Sequence, residues 1–514
     1  EAAKAIGIKI PHYCYHPGLS IVGSCRMCLV EIEKIPKLQP SCATTVAEGM
    51  IVRTRTPEAL RNRQSVLEFL LLNHPLDCPV CDQSGECELQ NYYMDHGCYD
   101  PRFNENKKKR KKALPIGPRV ILDQERCILC TRCVRFTQEI TKTGEFGVHE
   151  RGAQSEIALF PGTELSNAYS GNVVDLCPVG ALTDRDFRFQ CRVWFLGKTD
   201  SICPGCSRGC NIEIHYNERF NPRYHERRVH RLKPRFNRDV NGYWMCDEGR
   251  YSYHSIDAPS RLKDPMIRES GEGKPASWDH AISKIAAVLK GTIEKHGPEG
   301  VGVLASPSMT NEELFQLRCL YRDFLKLDRI PFRTPVREKP SSDDFLITED
   351  KYPNSRGALI LGFDEADADS LIRNCISGRI RFLHVFHHNL SHAYDSDALR
   401  EALSKVEFVV YQGAWDCATA KMSNAVLPSA VYAEKAGTFV NVQGRVQRLN
   451  AAVPPLGEAL GDLEILGRLS AAMDLGGITT AADRIFYNIA EQVEAFSGMD
   501  FDSLGSAGQR LKLG

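Results

Sequence analysis

Fifteen of the twenty cysteines in this 514-residue chain fall into four groups, all before residue 250. The first reads Cys14-x10-Cys25-x2-Cys28-x13-Cys42, and the second His74-x3-Cys78-x2-Cys81-x5-Cys87. The third is Cys127-x2-Cys130-x2-Cys133 with a distant Cys177-Pro178, and the fourth Cys203-x2-Cys206-x3-Cys210 with a distant Cys246. Closely spaced cysteines of this kind turn several thiolates toward one point, which is the layout of a metal site. Disulfides are the competing use. They suit short secreted chains, whereas this chain is long, shows no signal-peptide pattern and clusters its cysteines. Four metal sites in series on one polypeptide are most useful for carrying electrons across a distance.

Soft, anionic sulfur favours iron–sulfur clusters, with zinc as the alternative for any Cys-x2-Cys. The first group has the three-plus-one layout of a 2Fe–2S loop, although its first gap is ten residues where plant-type ferredoxins have four. The longer loop contains Gly18 and Gly23 and can still wrap a cluster and offer N–H groups to its sulfurs. The second group, with three cysteines and His74, suits zinc and iron about equally by itself; its place between two cluster-like groups favours iron. The third has ferredoxin-like 4Fe–4S spacing, and with a single such triplet present, Cys177 completes the triplet's own cluster. The fourth pairs one Cys-x2-Cys with a Cys-x3-Cys, unlike the doubled Cys-x2-Cys of zinc ribbons, which favours 4Fe–4S over zinc. Cys98, Cys191, Cys319, Cys375 and Cys417 lack partners at ligand spacing and read as small buried apolar residues.

The length implies several domains. A formal net charge of zero argues against a general nucleic-acid binder, and no apolar run is long enough to span a bilayer. Glu1–Ile8 reads as the end of a helix that a strand pair normally precedes, so further residues are expected upstream. Leu29–Glu33 alternates apolar and charged residues, as a strand does. Thr56-Pro57 starts a helix, with Leu60, Leu67 and Leu71 at helical spacing, and His74-Pro75 marks its exit. Lys107–Lys112 is a basic run, read as a solvated or partner-docking loop rather than a targeting signal. Beyond Ser260 the texture turns α/β. Ser277 caps a helix with Ile282, Ile285 and Leu289 on one face, Val301–Leu304 is a strand, and Thr310-x-x-Glu313 is a capping box. Short apolar runs follow at Ala358–Phe363, Phe382–Phe386 and Phe408–Tyr411. Strands alternating with helices predict a mostly parallel sheet with helices on both faces.

Two segments then suggest a family. Asn73-His-Pro-Leu-Asp-Cys-Pro-Val-Cys-Asp-Gln-Ser-Gly-Glu-Cys87 and Arg126-Cys-Ile-Leu-Cys-Thr-Arg-Cys-Val-Arg-Phe136 resemble the large iron–sulfur subunit of respiratory complex I, NADH:quinone oxidoreductase, of the bacterial type. Pro11-His-Tyr-Cys-Tyr-His-Pro-Gly18 and Cys25-Arg-Met-Cys-Leu-Val-Glu31 match the same family. Further on, Asn424-Ala-Val-Leu-Pro428 and Glu434–Gln447 resemble the pterin-side motifs of molybdopterin oxidoreductases.

The resemblance implies a 2Fe–2S cluster on Cys14, Cys25, Cys28 and Cys42. It implies a 4Fe–4S cluster on His74, Cys78, Cys81 and Cys87, which resolves the second group, and another on Cys127, Cys130, Cys133 and Cys177. Cys203, Cys206, Cys210 and Cys246 match a further 4Fe–4S cluster off the main electron route. The implied fold is α+β iron–sulfur, ferredoxin-like domains followed by an α/β molybdopterin-oxidoreductase-like domain without molybdopterin. The expected boundaries are 1–55 for the 2Fe–2S domain, 56–97 for the His-ligated domain, 98–195 for the next ferredoxin-like domain, 196–252 for the fourth cluster and 253–514 for the α/β domain. The implied role is an electron relay with no bond chemistry of its own. It would lie between a flavin-containing NADH-oxidising subunit and quinone-side iron–sulfur subunits, in a hetero-oligomeric respiratory complex, peripheral on the cytoplasmic side of the bacterial inner membrane. The alternatives are a truncated molybdenum-dependent, formate-dehydrogenase-like subunit and a hydrogenase-associated subunit. The short second half argues against the former, and the scatter of Cys319, Cys375 and Cys417 against a hydrogenase active site. A zinc-binding module is a non-enzymatic fourth possibility.

Overall fold

The computed structural model describes residues 1–217, 227–269, 272–336, 339–364, 368–476 and 478–512. The chain divides into two compact units, one built on Glu1–Leu196 and the other on Gly197–Tyr216 with Glu226–Gly514. Among the described residues no helix is long and apolar enough to cross a membrane.

In the first unit, the strand Leu29–Ile32 pairs antiparallel with Gln39–Pro40 on one side and Val52–Arg53 on the other. Val30 and Ile32 point inward, as the alternation predicts. The helix Pro57–Leu71 starts where expected, with the Thr56 hydroxyl accepting from the Ala59 N–H and Pro57 at its first position. Its Leu67 joins Tyr13, Met27, Leu89, Tyr92, Val179 and Ala181 in one small core. Cys25, Cys87, Cys127, Cys130 and Cys177 pack against that core, so three of the cysteine groups are built around a common set of side chains. A three-stranded sheet of Leu114–Pro115, Val120–Leu122 and Leu182–Asp184 and a hairpin of Phe146–His149 with Glu156–Leu159 complete the unit.

The second unit opens with a three-stranded sheet in which Asn211–Asn217 lies between Leu196–Ile202 and Val229–Pro234. Its main body is a six-stranded sheet. Val301–Leu304, Phe382–Phe386, Phe408–Gly413 and Ala425–Pro428 run parallel in that spatial order, and the hairpin Met266–Glu269/Glu272–Pro275 adds antiparallel at the end. Strand side chains alternate between faces. Phe382, Phe386, Phe408, Val410 and Leu427 enter one core with Ile282, Ile285 and Leu289 of the helix Trp278–His296. Leu383, Val385, Val409, Tyr411 and Val426 enter a second core with Leu371, Ile372, Leu399 and Leu403. Both faces are therefore covered, and the parallel strands are buried throughout and apolar except at His384 and Gln412. The Ser277 cap and the Thr310–Glu313 capping box are both present.

Two local expectations need correction. Ala358–Phe363, grouped with the strands on its apolar run, overlaps the helix Ser355–Ile360. Ala358 and Leu361 are buried while Leu359 is exposed, which is helical rather than alternating burial; a run this short does not reveal its period from composition. The run Lys107–Lys112 is not simply solvated. Lys107 Nζ donates to the Leu71 and Leu72 carbonyls at 2.7 and 3.1 Å, capping the helix that leads to His74. The Lys108 N–H donates to Asn73 Oδ1 at 2.9 Å, and Lys112 pairs with Asp77 and Glu125.

Candidate metal centres

None of the twenty cysteines forms a disulfide. In the first group, Cys28 immediately precedes the strand Leu29–Ile32 and Cys42 follows its partner Gln39–Pro40. The Leu29↔Pro40 register, with the Ser41 N–H donating to the Cys28 carbonyl, brings these two sulfurs together. Burial and the neighbouring Cys28 push the Cys42 thiol up to about 12. Cys14 and Cys25 lie within hydrogen-bond reach of each other; that contact pulls Cys14 down and pushes Cys25 up. The loop between them turns at Gly23, with φ 62°, and the chain turns again at Arg26, with a left-handed φ of 57°, between Cys25 and Cys28.

The second group is the most open. Cys78 is exposed, while Cys81 and Cys87 are half-buried. Cys87 is raised to about 11 by burial, with Cys81 and Cys78 near enough to add to the shift. His74 lies at the helix exit, as expected. Burial, then Arg126 and Lys107, lower its imidazole to about 4, so it is neutral at physiological pH, the form that binds metal. Its buried Nδ1 has no hydrogen-bond partner. Arg126 lies near both His74 and Cys81. Arg192 holds the loop from outside, donating to the carbonyls of Pro79 and Cys81.

In the third group, Cys127, Cys130, Cys133 and Cys177 line one cavity, closed by Leu122, Ile128, Ile157, Val179 and Leu182. Leu129 and Thr131 both adopt left-handed φ, near 53° and 58°. Such values are strained for residues with a side chain, and here they wind the triplet loop tightly enough for its N–H groups to turn inward. The Leu129 N–H reaches Cys127 Sγ at 3.4 Å, and the N–H groups of Val179, Ala181 and Leu182 act on Cys177. Burial pushes Cys127 to about 12 and Cys130 to about 11.

The fourth group is wholly inside the second unit. Its four cysteines are buried and line a second cavity with Met245, Gly249, Leu346 and Ile347. A Cβ on Gly249 would stand 2.8 Å from Cys203 Sγ, so only glycine permits this approach, and its N–H donates to Cys246 Sγ at 3.3 Å. Burial raises Cys203, Cys210 and Cys246 alike.

These arrangements fit iron–sulfur clusters. Burial disfavours bare thiolates, so sulfurs this enclosed need a cation to ionise them. In the third and fourth groups the sulfurs surround a cavity, and among the described residues no three His, Cys, Asp or Glu side chains converge as a single ion needs. Of the remaining cysteines, Cys191 and Cys375 are buried as expected, Cys319 and Cys417 are half-buried, and Cys98 is exposed, against expectation. The supporting residues Arg126, Lys107, Arg192 and Gly180 carry no spacing signal; only the fold shows that they meet the cysteine loops.

The chain matches a series of family descriptions in order. Residues 1–57 match a 2Fe-2S iron-sulfur cluster binding domain, 63–102 an NADH-ubiquinone oxidoreductase-G iron-sulfur binding region, and 117–183 an NADH-quinone oxidoreductase subunit 3 ferredoxin-like domain. Residues 196–258 match a molybdopterin oxidoreductase Fe4S4 domain, and 261–331 with 350–472 match molybdopterin oxidoreductase. The G subunit of NADH-quinone oxidoreductase from Rickettsia felis is 30% identical, over 97% of this chain and 89% of the relative. The NADH-ubiquinone oxidoreductase 78 kDa subunit, mitochondrial, of Neurospora crassa is 32% identical over 91% of this chain and 78% of that relative. A chain of an NAD+-reducing [NiFe]-hydrogenase is 33% identical over 37% of this chain and 82% of that chain, with a TM-score of 0.34, too low to compare the folds.

Proposed function

The chain belongs to the G-subunit family of NADH-quinone oxidoreductases, and on that footing we propose which residues carry its electron relay. Cys14, Cys25, Cys28 and Cys42 hold a 2Fe–2S cluster. His74, Cys78, Cys81 and Cys87 hold a 4Fe–4S cluster, as do Cys127, Cys130, Cys133 and Cys177. These three make the conducting path. Cys203, Cys206, Cys210 and Cys246 hold a fourth cluster, 4Fe–4S, off that path. The observation that carries this reading is the common core on which sulfurs of the first three groups pack, whereas the fourth set belongs to the other unit. When bound, such clusters supply reversible one-electron chemistry. The chain's own residues fix the sulfurs, keep water from the third and fourth sets, and set potential through ligand type and N–H donors.

The domain boundaries 1–55, 56–97, 98–195, 196–252 and 253–514 follow from the same reading. The partners proposed are a flavin-containing NADH-oxidising subunit and quinone-side iron–sulfur subunits. The proposed place is the cytoplasmic face of the bacterial inner membrane, held there by those partners. We propose further that the α/β domain binds no molybdopterin. In open α/β sheets, ligands sit beyond the carboxyl ends of the parallel strands. Here that position holds the chain's own ion pairs: His387, just after Phe382–Phe386, lies 3.0 Å from Asp462, which also takes Lys435 at 3.1 Å and Gln412 at 2.7 Å.

Iron and acid-labile sulfide analysis with EPR during redox titration tests the assignment. Four clusters as proposed require about fourteen irons per chain, and zinc in the fourth group lowers this to about ten. A colourless, EPR-silent protein overturns the reading, and stoichiometric molybdenum revives the catalytic alternative.

Changing His74 to cysteine replaces a neutral ligand by an anionic one. Imidazole ligands raise the potential of Rieske centres, so His74→Cys lowers the midpoint of the second centre by on the order of 100 mV. A midpoint that stays or rises in the assembled variant removes His74 from the ligand set.

A further inference from the structure

Arg126 immediately precedes the first cysteine of the third group, yet its side chain reaches the second. Nε and Nη2 donate to Asp77 Oδ2 at 3.0 and 2.9 Å, and Nε lies 3.3 Å from Asp123 Oδ2. Asp77 is the residue before Cys78. The backbone of Gly180, in the Cys177-Pro178 loop, closes the same spot. A Cβ there would stand 2.2 Å from Cys81 Sγ and 3.7 Å from Arg126 Cδ. The side chain of Arg126 is only 6% exposed. Its remaining terminal nitrogen, Nη1, is buried and has no hydrogen-bond partner. A guanidinium uses all its N–H groups as donors, and a buried charged donor left unpaired is costly, so this nitrogen points to an acceptor beyond the protein's own oxygens.

We propose that Arg126 is a positioning residue of the second centre. Its Nη1 donates to a sulfur of the cluster held by His74, Cys78, Cys81 and Cys87, and its fixed positive charge stabilises the reduced form of that cluster. The inference rests on the second group being an iron–sulfur centre. Among the charges around Cys81, that of Arg126 acts most strongly. Asp77, Asp123, Glu125 and Lys112 share the pocket, but their salt bridges turn the acidic groups toward Lys112 and the inner nitrogens of Arg126. The nearest charge dominates in a low-dielectric site. The third centre has other cations: Arg132 and Arg135 act on Cys130, and Arg110 on Cys127. The guanidinium of Arg126 is thus turned toward a centre that does not contain its sequence neighbour.

The test uses the intact complex, titrated with EPR detection in wild type, Arg126→Gln and Arg126→Lys. Arg126→Gln shifts the second centre at least tenfold toward its oxidised form at fixed potential, which for one electron is about 59 mV. The third centre stays in place, and Arg126→Lys, which keeps the charge, recovers most of the shift. In wild type labelled with 15N-arginine, pulsed EPR shows a 15N coupling on the reduced second centre, and Arg126→Lys removes it. An assembled Arg126→Gln variant with an unmoved second midpoint overturns the proposal. So does a missing 15N coupling in wild type, which decides the matter even if Arg126→Gln fails to assemble. If wild type has no second-centre signal and too little iron, the cluster reading itself has failed, and this inference with it.

Discussion

Replacing Cys127 by alanine is expected to reduce NADH-to-quinone electron transfer in the assembled complex to background, while Cys203→Ala leaves it unchanged. Cys127 is one of four sulfurs around the third cavity, and its loop holds Leu129 and Thr131 in left-handed conformations. Without the first thiolate, the strained loop loses the bonds that hold it wound, and the cavity keeps three ligands where a cuboidal cluster takes four. Its neighbours Cys130 and Cys177 pack on the core that also receives Cys25 and Cys87, so no sulfur of the first two groups can move to bridge the gap without unpacking Tyr13, Met27 and Leu89. Cys203 is more deeply buried and belongs to the other unit. Its loss is expected in the stability of that unit, because a cluster that binds only the folded form adds its binding free energy to folding. Turnover normalised to assembled complex, with EPR to verify which signal has gone, separates the two variants. Equal loss of turnover in both contradicts an off-path fourth centre.

The Cys-x2-Cys loops and helix caps were legible because their signals are local. Cys-x2-Cys loops, the Thr56 cap, the Ser277 cap and the Thr310–Glu313 box all work within a few residues, and each is found where the spacing puts it. What surrounds the ligands was not legible. Lys107 caps a helix that ended 35 residues earlier, Arg126 serves one group while adjoining another, and Gly180 is required by the distant sulfur of Cys81. Each of these is a long-range contact between a loop and a buried polar group, and neither composition nor period encodes it. Ala358–Phe363 shows the same limit for the fold: a short apolar run without visible alternation suits strand or helix, and burial of Ala358 and Leu361 on one side decided for helix.

Lys435→Met is expected to destabilise the α/β unit by about 3–5 kcal/mol, since removing one partner of a buried ion pair strands the others. Lys435 Nζ lies 2.8 Å from Glu313 Oε2 and 3.1 Å from Asp462 Oδ2, and both carboxylates are almost fully buried. Burial by itself raises the Asp462 carboxyl, but His387 and Lys435, with hydrogen bonds from His387 and Gln412, outweigh it and hold it well below the usual carboxylate range. Glu313 shares the same lysine but is raised by burial, so Asp462 is the more firmly ionised of the two carboxylates. The sign for the wild type follows. A depressed carboxyl contributes stability above its unfolded value of about 3.9, and loses it as pH falls through the folded value. In the variant, burial is opposed only by His387 and Gln412, so the folded value rises and the contribution shrinks or reverses. The destabilisation is therefore greatest at neutral pH and diminishes on acidification, as Asp462 and Glu313 take up protons. Thermal unfolding followed on the transition of this unit should show a drop on the order of 10 °C at pH 7. A loss of the same size from pH 7 down to pH 5 would mean that methionine disrupts packing alone, and that the buried charges of Glu313 and Asp462 are not what Lys435 holds in place.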